Sequence, residues 1–426
     1  MKKLSYILFL LVSVWLGGCS DSSDALPYGY IETTWEGSST IVLKGYENSA
    51  DGFSVFEPKG FDAPFYLKEK KFVGKKYLFA PQSDATTESP ANVEWQESID
   101  VVNGNKYWVR YKASKTYTYL KLRVAYIEGN NVGIEYAIAG TADRDLTENL
   151  NANAASGDNV SVTSYEIPYL NSANTYVSHF VEMDGKQVLN FALEWNAEKK
   201  HAAWVAFSFD EVTSKDAVSR TDAWAVDPGL PAEMQTTEAM HKSDGYDKGH
   251  ICASEDRVYL KEANEQTFYY SNMSPQISSF NQGFWAKLEK QVQTWGRSTP
   301  ATYDKVYVTK GGTLNKLHIS FTGIVKAADG LFPATDESGF TPKGLACPKY
   351  YFMAILSEKG DTYHAIGFLI EHREDLPKSP TAEQLKSYAV SIDELEEQTG
   401  LDFFCNLPDV IEEEVESACN VSDWAW

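Results

Sequence analysis

One stretch, residues 246–295, constrains what this 426-residue chain can fold into more than any other. It opens on Tyr246-Asp247-Lys248-Gly249-His250 and continues through Thr267-Phe268-Tyr269-Tyr270-Ser271-Asn272-Met273-Ser274-Pro275-Gln276. It then reaches Phe280-Asn281-Gln282-Gly283-Phe284-Trp285-Ala286-Lys287-Leu288-Glu289. The pattern predicts strand, loop, strand, helix. Trp285, Leu288, Val292 and Trp295 recur at helical spacing, which buries one face of a helix starting near Asn281. A strand ending in His250 can then face the helix start across a compact ββα unit.

The rest of the chain is organised around that unit. Its length exceeds a typical single domain, so two domains are expected, each burying its own core. Aromatic residues make up 13% of the chain, enough rings to exclude a long disordered protein. Over residues 29–140 the pattern alternates, with Tyr107, Val109 and Tyr111 opposite Trp108, Arg110 and Lys112. Leu120, Leu122, Val124 and Tyr126 repeat the period, and a Gly-Asn-Asn turn at 129–131 leads to Val132, Ile134 and Tyr136 as a hairpin. This predicts an all-β sandwich. Residues 141–163, rich in Asn, Ala, Asp and Ser, read as a linker. Residues 164–426 form a second domain that opens with strand-like runs at 189–195 and 203–207 and later turns helical, an α+β pattern.

The chemistry sits in the ββα segment. A neutral imidazole with a pKa near ~6.5 can take a proton from water, which suits His250 as general base. An amide oxygen, as on Asn281, is a hard, uncharged ligand that holds one divalent ion and leaves positions for waters and phosphate oxygens. These residues and their surroundings resemble the DNA/RNA non-specific endonuclease family, the ββα-metal nucleases that include mitochondrial endonuclease G. The similarity runs from about Tyr165 to the C-terminus. It includes Trp204-Val205-Ala206-Phe207, then Arg220 ahead of Asp227-Pro228-Gly229-Leu230-Pro231, then Pro348-Lys349-Tyr350-Tyr351-Phe352 and Glu394-Leu395-Glu396-Glu397-Gln398-Thr399-Gly400-Leu401-Asp402-Phe403-Phe404.

The resemblance implies a ββα-metal nuclease domain that hydrolyses phosphodiester bonds of DNA and RNA with Mg2+, for which Mn2+ can substitute. It implies that His250 activates water, Asn281 binds the metal, Arg220 stabilises charge on the phosphate, and Glu289 orients metal-bound water. Asn281 and Glu289 are eight residues apart, ~12 Å along a regular helix, which places Glu289 behind the ligand rather than on the metal. Asn272 and Gln276 match the pattern as well and read as loop-fixing amides. The family signature is Asp-Arg-Gly-His, and here position 248 is Lys. Lysine keeps the positive charge for substrate binding but loses the planar two-pronged fork that suits phosphate.

At the N-terminus, Met1-Lys2-Lys3 precedes an apolar run at 4–16 and then Leu16-Gly17-Gly18-Cys19, a lipobox. The apolar run is too short to span a ~30 Å hydrocarbon core. Cleavage after residue 18 would leave Cys19 as the lipid-bearing terminus on a tether of residues 19–28. The mature chain would then be an extracytoplasmic lipoprotein held on a membrane, at the outer membrane or cell surface. Cys252, Cys347, Cys405 and Cys419 remain, either as two disulfides or as four buried free thiols. They show no CxxC spacing, which argues against zinc. His179, His201, His241, His318, His364 and His372 sit in no comparable constellation and read as structural or surface residues.

The net charge of -22 is awkward for a protein that meets polyanions. Half of it is local: residues 381–426 hold 12 acidic residues and 1 basic residue, a net of -11. Residues 241–310 hold 9 basic and 8 acidic residues, a net of +1. Two other functions stay open at this point. The same fold could hydrolyse small phosphodiesters or nucleotide pyrophosphates, or the β-domain could capture a glycan or protein partner at a membrane surface.

Overall fold

A computed structural model of the chain describes residues 41–47, 55–56, 61, 64–74, 76–82, 93–113, 116–155, 160–314, 335–336 and 338–426. Residues 1–18, read from the sequence as a signal segment, Cys19, the expected tether at 19–28 and His318 lie outside the described residues. The chain divides into two units, Met1–Asp145 and Leu146–Trp426.

The first unit contains β1 (Ile41–Lys44), β2 (Val55–Phe56), β3 (Phe65–Lys68), β4 (Lys71–Val73), β5 (Tyr77–Pro81), β6 (Ser98–Asp100), β7 (Lys106–Lys112), β8 (Thr116–Glu128) and β9 (Asn131–Asp143). These form a five-stranded sheet, β1-β9-β8-β7-β5, and a four-stranded sheet, β2-β3-β4-β6. Phe56, Phe65, Leu67 and Phe72 from the smaller sheet share one core with Tyr107, Val109, Tyr111, Leu120 and Leu122 from the larger, so the unit is the sandwich that the alternation predicts. The register against β9 shifts twice along β8, between Tyr119 and Leu120 and between Val124 and Tyr126, and the second shift leaves Tyr126 half-buried. The opposite face is less polar in its surroundings than alternation suggests: Arg110 is buried, its guanidinium 4.1 Å from the Tyr117 ring centroid and 4.8 Å from that of Trp95.

The second unit contains β10 (Thr175–Met183), β11 (Lys186–Asn196), β12 (His201–Phe209), β13 (Asp247–His250), β14 (Met273–Gln276), β15 (Lys305–Gly312), β16 (Tyr350–Lys359), β17 (Thr362–Glu371) and β18 (Ala389–Val390). Its helices are α1 (Lys261–Gln266), α2 (Ala286–Arg297), α3 (Ala382–Lys386), α4 (Ile392–Thr399) and α5 (Asp409–Ser417). Seven strands make one antiparallel sheet in the order β10-β11-β12-β15-β16-β17-β18. Central β12 is buried at all nine positions because the sheet is covered on both sides. Val205, Phe207 and Phe209 pack with Leu288, Val292 and Trp295 of α2, whereas Trp204 and Ala206 share a core with Ile392 and Leu395 of α4 and Val415 of α5. Ser391 caps α4 by accepting from Glu394 N (3.1 Å), and Gly400 ends it in the left-handed conformation at φ 70°.

Between β12 and its neighbour β15, residues 210–304 leave the sheet and return to it. That excursion holds the ββα unit, with β13 and β14 paired antiparallel as His250 opposite Met273 and Asp247 opposite Gln276. One expectation needs correction. The regular helix begins at Ala286, and Asn281 lies in a wide π-type turn over Phe280–Trp285, broken at Gly283 (φ -106°, ψ -112°). The ~12 Å rise reckoned from Asn281 to Glu289 presumed one regular helix and does not apply.

Residues 149–153 are tied down by hydrogen bonds that a linker of their composition would not lead one to expect. Strand β9 runs to Asp143, and Asn149 Nδ2 donates to Cys405 O (2.9 Å) and Leu407 O (2.6 Å). Asn151 Nδ2 donates to Glu412 Oε1 (2.9 Å) and Asn153 Nδ2 to Pro168 O (3.0 Å). Side-chain amides satisfy backbone carbonyls without apolar periodicity, so this order leaves no hydrophobic pattern in the sequence. The four cysteines are free thiols, three buried and Cys419 exposed.

Candidate active site

The site is assembled on Phe268. The chain leaving β12 is tied down by Ala217 N and Val218 N, both donating to Val258 O, and by Thr221 N donating to Asn264 Oδ1 (2.9 Å). Between these anchors Arg220 donates from Nη1 to Ser254 Oγ (3.0 Å) and from Nε to Asp222 Oδ1 (2.8 Å). Its guanidinium lies 4.7 Å from the Phe268 centroid. A parallel bridge between Ala225 and Tyr269 then brings Trp224 edge-on to Phe268, at 5.1 Å and 83°.

His250 ends β13 with its ring edge-on to Phe268 at 4.9 Å and 5.6 Å from Trp224. Its Nε2 is buried without a hydrogen-bond partner among the described residues. Burial, followed by the nearby charges of Arg220, Lys310 and Lys248, pushes its pKa down to about 3, so the imidazole is neutral with an open acceptor. Lys248 projects from the same strand, and its Nζ sits 3.5 Å from the Trp224 ring centroid. Gly249 between them has no room for a side chain: a Cβ there would lie 2.1 Å from Oε1 and 2.6 Å from Cγ of the fully buried Gln276. Gly249→Ala is therefore expected to cost roughly 1–3 kcal/mol in urea unfolding through overpacking. An unchanged midpoint would show that Gln276 yields freely.

Asn281 meets the strand through Asp247. Its Nδ2 donates to Asp247 Oδ2 (3.0 Å), and Gln282 Nε2 donates to the same oxygen (2.9 Å). With the amide nitrogen held, Oδ1 is left as a hard donor for a divalent cation, so the residues fit a metal held by one protein ligand and completed by water and phosphate. Glu289 is placed differently from Asn281. Its Oε1 lies 2.5 Å from Lys310 Nζ, and Lys310, buried in β15, also reaches Asp256 Oδ2 at 3.5 Å. Asp256 is fixed by Ala253 N (2.9 Å) and Gln293 Nε2 (2.9 Å). Burial alone would lower the Lys310 pKa, but the two facing carboxylates reverse this and keep the ammonium charged.

The structure thus brings His250, Arg220 and Lys248 together around Phe268 and Trp224, joins Asn281 to their strand, and sets Glu289 in a buried charge cluster on α2. Trp224, Asp247 and Lys310 were missed in the sequence. Trp224 follows Arg220 by four residues, which was the available signal, whereas a lysine inside a strand gives no hint of a buried ion pair. Asn272 fixes its loop, accepting from Cys252 N (2.8 Å) and donating to Thr267 O (2.8 Å). His179 bonds Asp227 (3.1 Å), His201 bonds Ser274 (2.5 Å), His241 bonds Thr236 (3.2 Å), His372 accepts from Ile277 N (2.8 Å), and half-exposed His364 pairs with Asp423 (3.3 Å). A cavity of about 580 Å³ lined by Glu194, Phe352 and Asp402 opens among residues of the other face of the sheet, where none of these candidate groups lies.

Residues 171–410 match the DNA/RNA non-specific endonuclease family. A relative named Nuclease C1, from Cunninghamella echinulata var. echinulata, is 29% identical over 227 residues, covering 51% of this chain and 81% of that protein. A nuclease from Nostoc sp. is 28% identical, covering 53% of this chain and 75% of that protein. Human mitochondrial endonuclease G is 26% identical, covering 51% and 68%. The chain belongs to the DNA/RNA non-specific endonuclease family. It is a hydrolytic nuclease, of a family that depends on a divalent metal.

Proposed function

We propose that the protein cleaves phosphodiester bonds within both DNA and RNA, with His250 as general base and one divalent ion, Mg2+ or Mn2+, held by Asn281. The observation that carries this reading is the buried Nε2 of a neutral His250, without a hydrogen-bond partner among the described residues and set among the cations Arg220, Lys310 and Lys248. A water against Nε2 gives up its proton there as its oxygen bonds to phosphorus and the P–O bond to the leaving oxygen breaks, while Arg220 and Lys248 hold the phosphate oxygens. When bound, the metal supplies Lewis-acid stabilisation of the phosphate and leaving oxygen. Every group in this set addresses phosphate, and none addresses a base edge or a 2′-hydroxyl, which suits a nuclease indifferent to sugar. Glu289 acts from behind, held by Lys310.

Incubation of supercoiled plasmid and of RNA with Mg2+ or with EDTA tests the reading. Loss of both substrates only with Mg2+ supports it, and equal loss in EDTA refutes the metal role. Asp247→Ala frees the Asn281 amide and is expected to raise the Mg2+ concentration for half-maximal cleavage roughly 10- to 100-fold. The same reading places the enzyme outside the cytoplasm on a lipid attached to Cys19, supported by the sequence Leu16-Gly17-Gly18-Cys19. Palmitate labelling lost in Cys19→Ala tests that placement.

A further inference from the structure

We propose that Trp224 is a positioning residue for phosphate binding: its indole face is the seat that aims the Lys248 ammonium at the substrate beside His250. The inference rests on the nuclease reading above and extends it to a residue outside the motif. Lys248 Nζ lies 3.5 Å from the Trp224 centroid and has no carboxylate within ion-pair distance among the described residues. The acids nearest in charge are already taken, Glu238 by Lys242 and Asp222 by Arg220. The lysine charge is therefore held by an aromatic quadrupole and not neutralised by an anion, which leaves it for an incoming phosphate.

The seat is itself fixed. Trp224 is edge-on to Phe268, near-parallel to Tyr270 at 6.2 Å and 21°, and 5.6 Å from His250, while the neighbouring Ala225 is bridged to Tyr269. A lysine side chain has four rotatable bonds and no fork to set its direction at a phosphate. Contact with a rigid ring supplies that direction, on the side of the ring cluster where His250 awaits the attacking water. The departure from arginine at position 248 is thereby matched by a structural counterpart at position 224.

Steady-state cleavage of a short DNA duplex with Mg2+, using the full mature chain, tests the seat through a double-mutant cycle. Trp224→Leu is expected to raise KM roughly 3- to 30-fold, the range a cation–π contact gives, with kcat changed much less. Trp224→Phe keeps most of the binding. In a Lys248→Met background, Trp224→Leu is expected to add less than about twofold, because the group it positions is gone. The slope of log KM against log salt falls by up to about 0.9 in Trp224→Leu and in Lys248→Met alike. Equal losses from Trp224→Leu in both backgrounds, a loss confined to kcat, or no rescue by phenylalanine would overturn the seat. Thermal melts accompany each variant, and Trp224→Met replaces the leucine variant if that one unfolds. A wild-type chain inactive with Mg2+ overturns the nuclease reading and the seat with it, whereas an active wild type with an additive cycle overturns the seat alone.

Discussion

His250→Ala is expected to lower kcat on plasmid DNA by roughly 10²- to 10⁴-fold, the usual contribution of a positioned general base, with the far-UV circular dichroism unchanged. The loss is one of chemistry because, among the described residues, Nε2 makes no hydrogen bond whose removal could weaken the fold. Wild-type turnover in the alanine variant would show that the proton goes elsewhere. A pH profile sharpens the test. A histidine with an ordinary pKa near ~6.5 would be only about 3% neutral at pH 5, an approximately 30-fold loss of base. His250, held at about 3 by burial and three cations, keeps its acceptor at that pH. The kcat/KM of the wild type is therefore expected to hold through pH 5 as far as His250 sets it, and a tenfold fall per unit starting near 6.5 would show that the site is wetter than its packing indicates.

Lys310→Met is expected to be the most destabilising single change in the catalytic unit, at roughly 3–5 kcal/mol by urea unfolding. Lys310 Nζ is the cation between Glu289 and Asp256, all three largely out of solvent. Its removal leaves two carboxylates facing each other without a counter-charge, and the cost comes from that uncompensated charge more than from the lost attraction. Because burial already pushes the Glu289 carboxyl up, protonation offers a partial escape. The variant should accordingly recover stability as pH falls toward 5, and Glu289→Gln added to Lys310→Met should restore part of the loss at neutral pH. A variant within 1 kcal/mol of wild type at pH 7 would mean that water reaches the cluster. The same substitution should reduce turnover, since Glu289 loses the partner that holds its position.

What could be read in advance follows from how each feature is encoded. The ββα unit was legible because a helical apolar period, Trp285 to Trp295, followed two short strand patterns, and residue types with few chemical substitutes stood at their ends. The buried strand Ala203-Trp204-Val205-Ala206-Phe207 was legible as an unbroken apolar run, which a sheet covered on both faces demands. The β-sandwich followed from alternation alone. The π-type turn around Gly283 was not legible, since one glycine in a helical period is no measure of local winding. Nor were contacts that depend on tertiary neighbours: Arg110 between two aromatic rings, Lys310 under α2, and the asparagines of residues 149–153 on distant carbonyls. Each is a polar side chain whose burial is decided by what lies across from it.

Strands β12 and β15 lie side by side at the middle of the sheet, and residues 210–304, which carry Arg220, Trp224, Lys248, His250, Asn281 and Glu289, run between them. Closing so long an excursion adds little equilibrium cost, because each doubling of loop length adds only about 0.6 kcal/mol. Its kinetic consequence is larger: the central register cannot lock until the ends of the excursion meet, so zippering of the sheet and organisation of the site become coupled events. A partly synthesised or partly unfolded chain therefore lacks both at once, and hydrogen exchange at Val308 and at His250 should report one shared opening.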